Sequence, residues 1–106
     1  VILNVTSDMA SNAYQARPNS GLHFTAYNTS KAAANSYTIA LAKELEKEGI
    51  KVNAVTPGFT STKLNGYGQG GKSVSDGAER LVPFALLGED GPTCQFFDEN
   101  GKIFAW

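Results

Sequence analysis

The sequence predicts an α/β fold built on a parallel sheet, and three observations carry that prediction. The run VILNV at residues 1–5 is aliphatic and β-branched with little alternation, as a strand covered on both faces should be. Residues 27–48 hold a helical pattern about six turns long. KVNAV at residues 51–55 then repeats the strand signature after a two-residue return. Strand, long helix and strand make a βαβ unit, which pairs its strands in parallel through a right-handed crossover.

The remaining elements follow in order. Residues 6–25 are rich in Ser, Asn, Ala and Gly, contain Pro18, and read as a loop. The helix over 27–48 carries alanines, Tyr37, Ile39, Leu41 and Leu45 on one side, while lysines and glutamates accumulate toward its end. Thr25 or Asn28 suits its N-cap, and Gly49 suits the left-handed position beyond its last turn. Thr56-Pro57-Gly58 stops the second strand. Residues 58–74 hold five glycines among polar residues and read as a loop. A shorter helix is predicted over 75–87 with Ser73 or Ser75 as cap, although Pro83 sits awkwardly inside it. TCQFF and KIFAW flank DENG, whose Asn100-Gly101 is a hairpin-turn signal.

Composition narrows the class. The 106 residues suit a single domain, residues 1–106, and VILNV at the very start reads as the interior of a longer polypeptide. A formal net charge of -1 gives no footprint for nucleic acid or an anionic membrane, and no apolar run is long enough to span one. The single cysteine, Cys94, points to a reducing, cytoplasmic setting. It reads as a small hydrophobe, and no metal site is expected.

Chemistry concentrates where the strands end. In open α/β sheets, ligands bind beyond the carboxyl ends of the strands. NVTS brings Ser7 to one such end, VNAVTPGFTST brings Pro57 to Thr62 to the next, and Tyr27 and Lys31 open the helix between them. Tyrosine and lysine four apart share a helix face, and a nearby ammonium favours phenolate over phenol. Such a tyrosine can exchange a proton with a substrate oxygen while a serine hydroxyl orients that oxygen. The arrangement suits interconversion of C=O and CH–OH, with hydride from a cofactor. The Tyr-x-x-x-Lys spacing alone is weak, because four tyrosines and seven lysines produce it by chance about one time in four. Its bland alternative is a surface pair. A Ser7-His23-Asp8 hydrolase is the competing chemistry, and no G-x-S-x-G elbow supports it.

Taken in this order and spacing, NVTS, YNTSK and VNAVTPGFTST resemble the active-site serine strand, the Tyr-x-x-x-Lys motif and the Pro-Gly segment of the short-chain dehydrogenase/reductases. GPTCQFFDENGKIFAW resembles the closing strand of a carbonyl-reductase-like branch, with Cys94 where that branch commonly has glycine. The resemblance implies the C-terminal part of a Rossmann-type doubly wound parallel sheet: a βαβ unit, a helix and a closing strand. It implies Tyr27 as acid/base, Lys31 as its electrostatic helper and a ribose ligand, and Ser7 as the substrate-orienting hydroxyl. Pro57, Gly58 and Thr62 would touch the nicotinamide and phosphate portion of the cofactor. The twenty-residue step from Ser7 to Tyr27 exceeds the family's usual loop and keeps Thr6 as a rival. No G-x-x-x-G-x-G turn occurs, nor the family's active-site asparagine on a preceding helix.

The reading is therefore an NAD(P)-dependent oxidoreductase acting on a small-molecule carbonyl or alcohol. The resemblance favours NADP over NAD and implies a homodimer or homotetramer. Without the glycine turn, the 106 residues alone are expected to be inactive. The alternative is a non-catalytic, truncated Rossmann fragment serving as a partner-binding or vestigial module.

Overall fold

The computed structural model describes residues 1–106 and shows three strands in the order β1-β2-β3, all parallel. β1 is Ile2–Val5, β2 is Val52–Val55, and β3 is Phe96–Phe97. Ile2 pairs with Val52 and Val5 with Val55, while Ala54 and Val55 pair with Phe96 and Phe97. The central strand is buried along its whole length. β1 is not: it forms an edge, and Val1 and Val5 stay 54% and 49% exposed. VILNV is thus less buried than expected: Ile2 to Asn4 are half-buried, Val1 and Val5 are exposed, and β2 pairs with one edge of the strand.

Long helix α2 spans Thr25–Glu44 and is continued by a 3-10 turn, Glu46–Glu48, which Gly49 ends at φ 71° as expected. It starts two residues earlier than the sequence suggests, and neither Thr25 nor Asn28 caps it: the N-cap position is Phe24, with no side-chain bond. Its inner face also differs. The helix buries Asn35, Thr38 and Ala42, whereas Tyr37 points outward and is 60% exposed. Small residues let the helix approach the sheet closely, and Thr38 is satisfied by pairing: Asn4 Nδ2 donates to Thr38 Oγ1 at 2.8 Å, which itself donates to Ala34 O at 2.8 Å, whereas the buried Asn35 amide has no partner at either end.

The expected loop over 6–25 contains two short helical pieces, a 3-10 turn at Asp8–Ala10 and α1 at Asn12–Gln15. Serines start both. Ser7 Oγ accepts from Met9 N at 3.2 Å, and fully buried Ser11 accepts from Tyr14 N at 3.0 Å. The helix expected over 75–87 is likewise two: α3 at Val74–Glu79, capped by Ser73 rather than Ser75, and α4 at Val82–Ala85. Pro83 falls in the first turn of α4, where its missing N–H costs nothing.

The chain closes on an aromatic wall. Phe96 packs against Phe104 and Trp106, with ring centroids 5.3 and 5.6 Å apart, while Phe97 packs on Phe84 at 4.7 Å. The DENG turn forms, with Asp98 N donating to Lys102 O at 2.8 Å and Gly101 at φ 76°. Only a bridge, Phe97 to Ile103, replaces the second expected strand. Before β3, fully buried Asn53 pins the turn at 92–95: its Nδ2 donates to Pro92 O at 2.8 Å and its Oδ1 accepts from Gln95 N at 3.1 Å. Cys94 N donates to Val52 O at 2.8 Å in the same turn.

That turn holds Cys94, half-buried, at φ 57°, in the left-handed region that favours glycine. A side chain there carries strain on the order of 1 kcal/mol. The extra freedom of glycine in the unfolded chain offsets about half of it. Cys94→Gly is therefore expected to stabilise the fold by about 0.5 kcal/mol. A lower midpoint in urea unfolding would refute the strain at this position.

Candidate active site

Lys31 joins the helix to the end of the first strand. Its Nζ donates to Val5 O at 3.2 Å and lies 6.0 Å from the centroid of the Tyr27 ring. Tyr27 is half-buried in the first turn of α2. The spacing in the sequence is thus realised as one cluster at the carboxyl end of β1.

Ser7 and Thr6 occupy the residues just past that end, and both are buried. Thr6 still belongs to the ladder, donating its N–H to Val55 O at 2.9 Å, and its Oγ1 has no partner. Ser7 has left the ladder. Its hydroxyl donates to Asp8 Oδ1 at 3.1 Å while accepting from Met9 N. Ser7 is thus an N-cap here.

The segment after β2 is folded by its own polar groups. Thr56 Oγ1 accepts from Gly58 N at 3.1 Å, and Thr60 Oγ1 donates to Gly58 O at 3.2 Å. Thr62 opens a 3-10 turn, Lys63–Asn65, through a reciprocal cap in which Asn65 Oδ1 accepts from Thr62 N at 3.0 Å. Pro57, Thr60 and Thr62 line one side of a cleft of about 240 Å³; Val74, Ala78 and Leu81 line the other.

Other sequence candidates stay apart. His23 Nε2 sits 3.2 Å from Ser20 Oγ and makes no bond to Ser7 or Asp8, so no hydrolase triad forms. Asn65, Lys72 and Glu99 join the segment after β2 without being among the residues expected from the sequence. Lys72 Nζ donates to Pro57 O at 2.9 Å and pairs with Glu99, beside Gly58. Asn65 carries a local signal, the three-residue cap spacing after Thr62; Lys72 and Glu99 are 27 residues apart and carry none.

A family model described as short chain dehydrogenase matches residues 1–70. Salutaridine reductase of Papaver somniferum is 45% identical over 73 residues, covering 69% of this chain and 22% of its own. (+)-Neomenthol dehydrogenase of Capsicum annuum is 41% identical over 82 residues, 77% of this chain and 25% of its own. Two solved structures superpose on 99% of the chain. Carbonyl reductase Sniffer of D. melanogaster does so with TM-score 0.81 at 26% identity, over 40% of its length. NADPH-bound carbonyl reductase from chicken fatty liver does so with TM-score 0.82 at 25% identity, over 42% of its length. The chain thus spans about a quarter of those curated relatives and about two fifths of those solved chains.

Gly58 combines two demands, a φ of 72° and crowding, since a Cβ there would meet the Glu99 carboxylate and lie 2.7 Å from Lys72 Nζ. Gly66, at φ 63° with open space around it, carries the first demand alone. Gly66→Ala is expected to cost about 1 kcal/mol and Gly58→Ala about 1–2 kcal/mol, the excess being what it takes to displace the ends of Glu99 and Lys72. Equal losses in urea unfolding would remove crowding as a constraint on Gly58.

Proposed function

This chain belongs to the short-chain dehydrogenase/reductase family, and we propose that it forms the C-terminal half of a Rossmann-type domain that interconverts carbonyl and alcohol groups with NAD(P)(H). The observation that carries this reading is the Lys31 bond to Val5 O with Tyr27 beside it, which gathers acid/base, cation and strand end in one place.

The residues present fit the nicotinamide half of such a cofactor. A lysine ammonium has three donors, and Val5 O takes one, leaving two for ribose hydroxyls. Thr6 Oγ1, buried and unpartnered, offers a further polar group at the same strand end. Gly58 and Thr62 would lie along the nicotinamide and phosphate portion from the other side, with Pro57 closing the strand end. When bound, the cofactor supplies or takes the hydride, which no side chain can do.

The protein's own part is proton handling and orientation. In reduction, the Tyr27 hydroxyl donates its proton to the substrate oxygen as that oxygen gains charge; in oxidation it accepts the proton back. Lys31 sets its positive charge 6.0 Å from the centre of the Tyr27 ring, on the side of the strand end. Ser7, by turning its hydroxyl from Asp8 to the substrate oxygen, would orient and stabilise it; Thr6 is the alternative hydroxyl. The substrate is a small ketone, aldehyde or alcohol, admitted beside the cleft under Thr60 and Leu81. NADP is favoured over NAD by the family resemblance alone. No helix is long and apolar enough to cross a membrane. The lone Cys94 suits a reducing, cytoplasmic setting, and the outward face of α2, where Tyr37 is exposed, suits packing on a second copy.

In the full-length polypeptide, Tyr27→Phe should reduce turnover below about a tenth of wild type while cofactor still binds. Retained turnover would sink the acid/base role. Lys31→Met should lower both turnover and cofactor affinity, and Lys31→Arg should not restore both, because a planar fork is no substitute for a compact ammonium.

Residues 1–106 alone should bind no dinucleotide in the micromolar range, since helix amino-termini with glycine turns supply much of a pyrophosphate's anchoring. Their bare β1 edge should also promote self-association. Saturable NADH or NADPH fluorescence titration by a soluble monomer would overturn this expectation.

A further inference from the structure

We propose that Lys72 and Glu99 are positioning residues that hold the Pro57-Gly58-Phe59 turn in the shape needed to receive the nicotinamide end of the cofactor; the inference rests on the functional reading above. Lys72 lies outside the segments that mark the family in this sequence, and Glu99 stands in the closing one, GPTCQFFDENGKIFAW, with no role assigned to it there.

The delivery of Lys72 begins with its backbone. Lys72 N donates to Phe59 O at 3.0 Å, Ser61 N donates to Lys72 O at 2.9 Å, and Thr60 and Lys72 form a parallel bridge. The preceding residue, Gly71, lies so close to the opposite segment that a Cβ would stand 2.6 Å from Ser61 N. This contact lays the returning chain flat against residues 59–61 and aims the Lys72 side chain back along it.

The ammonium then finds an acceptor for each of its three donors: Pro57 O at 2.9 Å, Phe59 O at 3.4 Å, and the Glu99 carboxylate. The two carbonyls flank Gly58, so one cation gathers both sides of the left-handed residue. The Gly58 N–H is taken by Thr56 Oγ1, which completes the polar groups of the turn. Glu99 comes from the DENG turn after β3 and is itself held, because Arg80 Nη1 donates to Glu99 O at 3.3 Å and Asp98 Oδ1 accepts from Asn100 N and Lys102 N.

The two side chains differ from an ordinary surface pair. Lys72 is 19% exposed and Glu99 39%. A largely buried cation on two neutral carbonyls needs a counter-charge, and Glu99 supplies it. An exposed pair would be worth little on geometry alone. Here the acceptors are the backbone of the segment assigned to the cofactor, so loosening the pair loosens that segment.

The experiment uses the full-length polypeptide, with Lys72→Met and with Glu99→Gln. NADPH and NADH affinities are read by fluorescence titration, kcat at saturating cofactor, and amide exchange at Gly58 and Ser61. Lys72→Met should weaken cofactor binding about tenfold and Glu99→Gln less, with kcat changed under about twofold and exchange of both amides accelerated. A merely structural pair would alter exchange or melting and leave the affinity alone; unchanged affinity in both variants therefore overturns the proposal. If Lys72→Met fails to fold, Glu99→Gln decides by the same readouts. A wild type that binds neither dinucleotide rejects the functional reading itself, and the positioning role with it. A wild type that binds, beside variants that bind equally well, rejects the positioning role alone.

Discussion

Parallel pairing of β1 with β2 is the constraint from which the rest of the structure follows. Two parallel strands cannot be joined by a tight turn, so the chain must leave the carboxyl end of β1 and travel back to the amino end of β2. A helix of twenty residues makes that return. Its first turn therefore lies near the carboxyl ends of the strands, and its last turn lies near the start of β2. Placement of Tyr27 and Lys31 beside Val5, and of Pro57 at the neighbouring strand end, is thus a consequence of topology. The functional groups need only occupy the right positions along the elements.

Register in that sheet is held as much by buried amides as by apolar contact. Asn53 lies in the middle of a fully buried strand, where an unpaired amide would cost a few kcal/mol. Both its ends are bonded, to Pro92 O and Gln95 N, so it converts that penalty into a fixed position for the turn entering β3. Half-buried Asn4 is tied to α2 at one end, through Nδ2 to Thr38 Oγ1. A slip of either strand by one residue would turn these amides to the opposite face and strand them without partners. Polar residues in strands usually weaken the reading of a core, yet here they specify it.

The parallel βαβ unit was legible in the sequence because it depends on pattern length: two unalternating runs and a long helical stretch leave few alternatives. The stop at Gly49, which ends the 3-10 turn after α2, was legible for a local reason, the left-handed backbone. What stayed illegible depended on distant partners. On the inner face of α2, Thr38 looks like a surface residue until Asn4 is placed opposite it, and buried Asn35, whose amide has no partner, offers no signal at all. The break before Pro83 followed from a known proline rule that had to be weighed against a continuous apolar pattern. In the candidate site, the Tyr27–Lys31 pair could be read from spacing, whereas the bond from Lys31 to Val5 O could not, since 26 residues separate its ends. The Ser7 hydroxyl shows a similar gap. Its position at a strand end was readable, and its local engagement with Asp8 and Met9 N was not.

The Lys31 bond also links folding to the proposed chemistry. A free lysine side chain loses up to about 2 kcal/mol of rotamer entropy when it is fixed in one geometry. If that loss fell at the moment of cofactor binding, it would be subtracted from affinity. Here one donor of the ammonium already rests on Val5 O, so much of the ordering takes place as α2 docks on β1. The acceptor is a neutral carbonyl rather than a carboxylate, and this choice matters. A carboxylate would anchor the lysine more firmly, but it would cancel the positive charge that Tyr27 and the ribose hydroxyls are proposed to use. A backbone oxygen at a strand end restrains the side chain while leaving the charge largely uncompensated. The same logic explains why the anchor comes from the sheet and not from a mobile side chain, since the carbonyl's place is set by the ladder with β2.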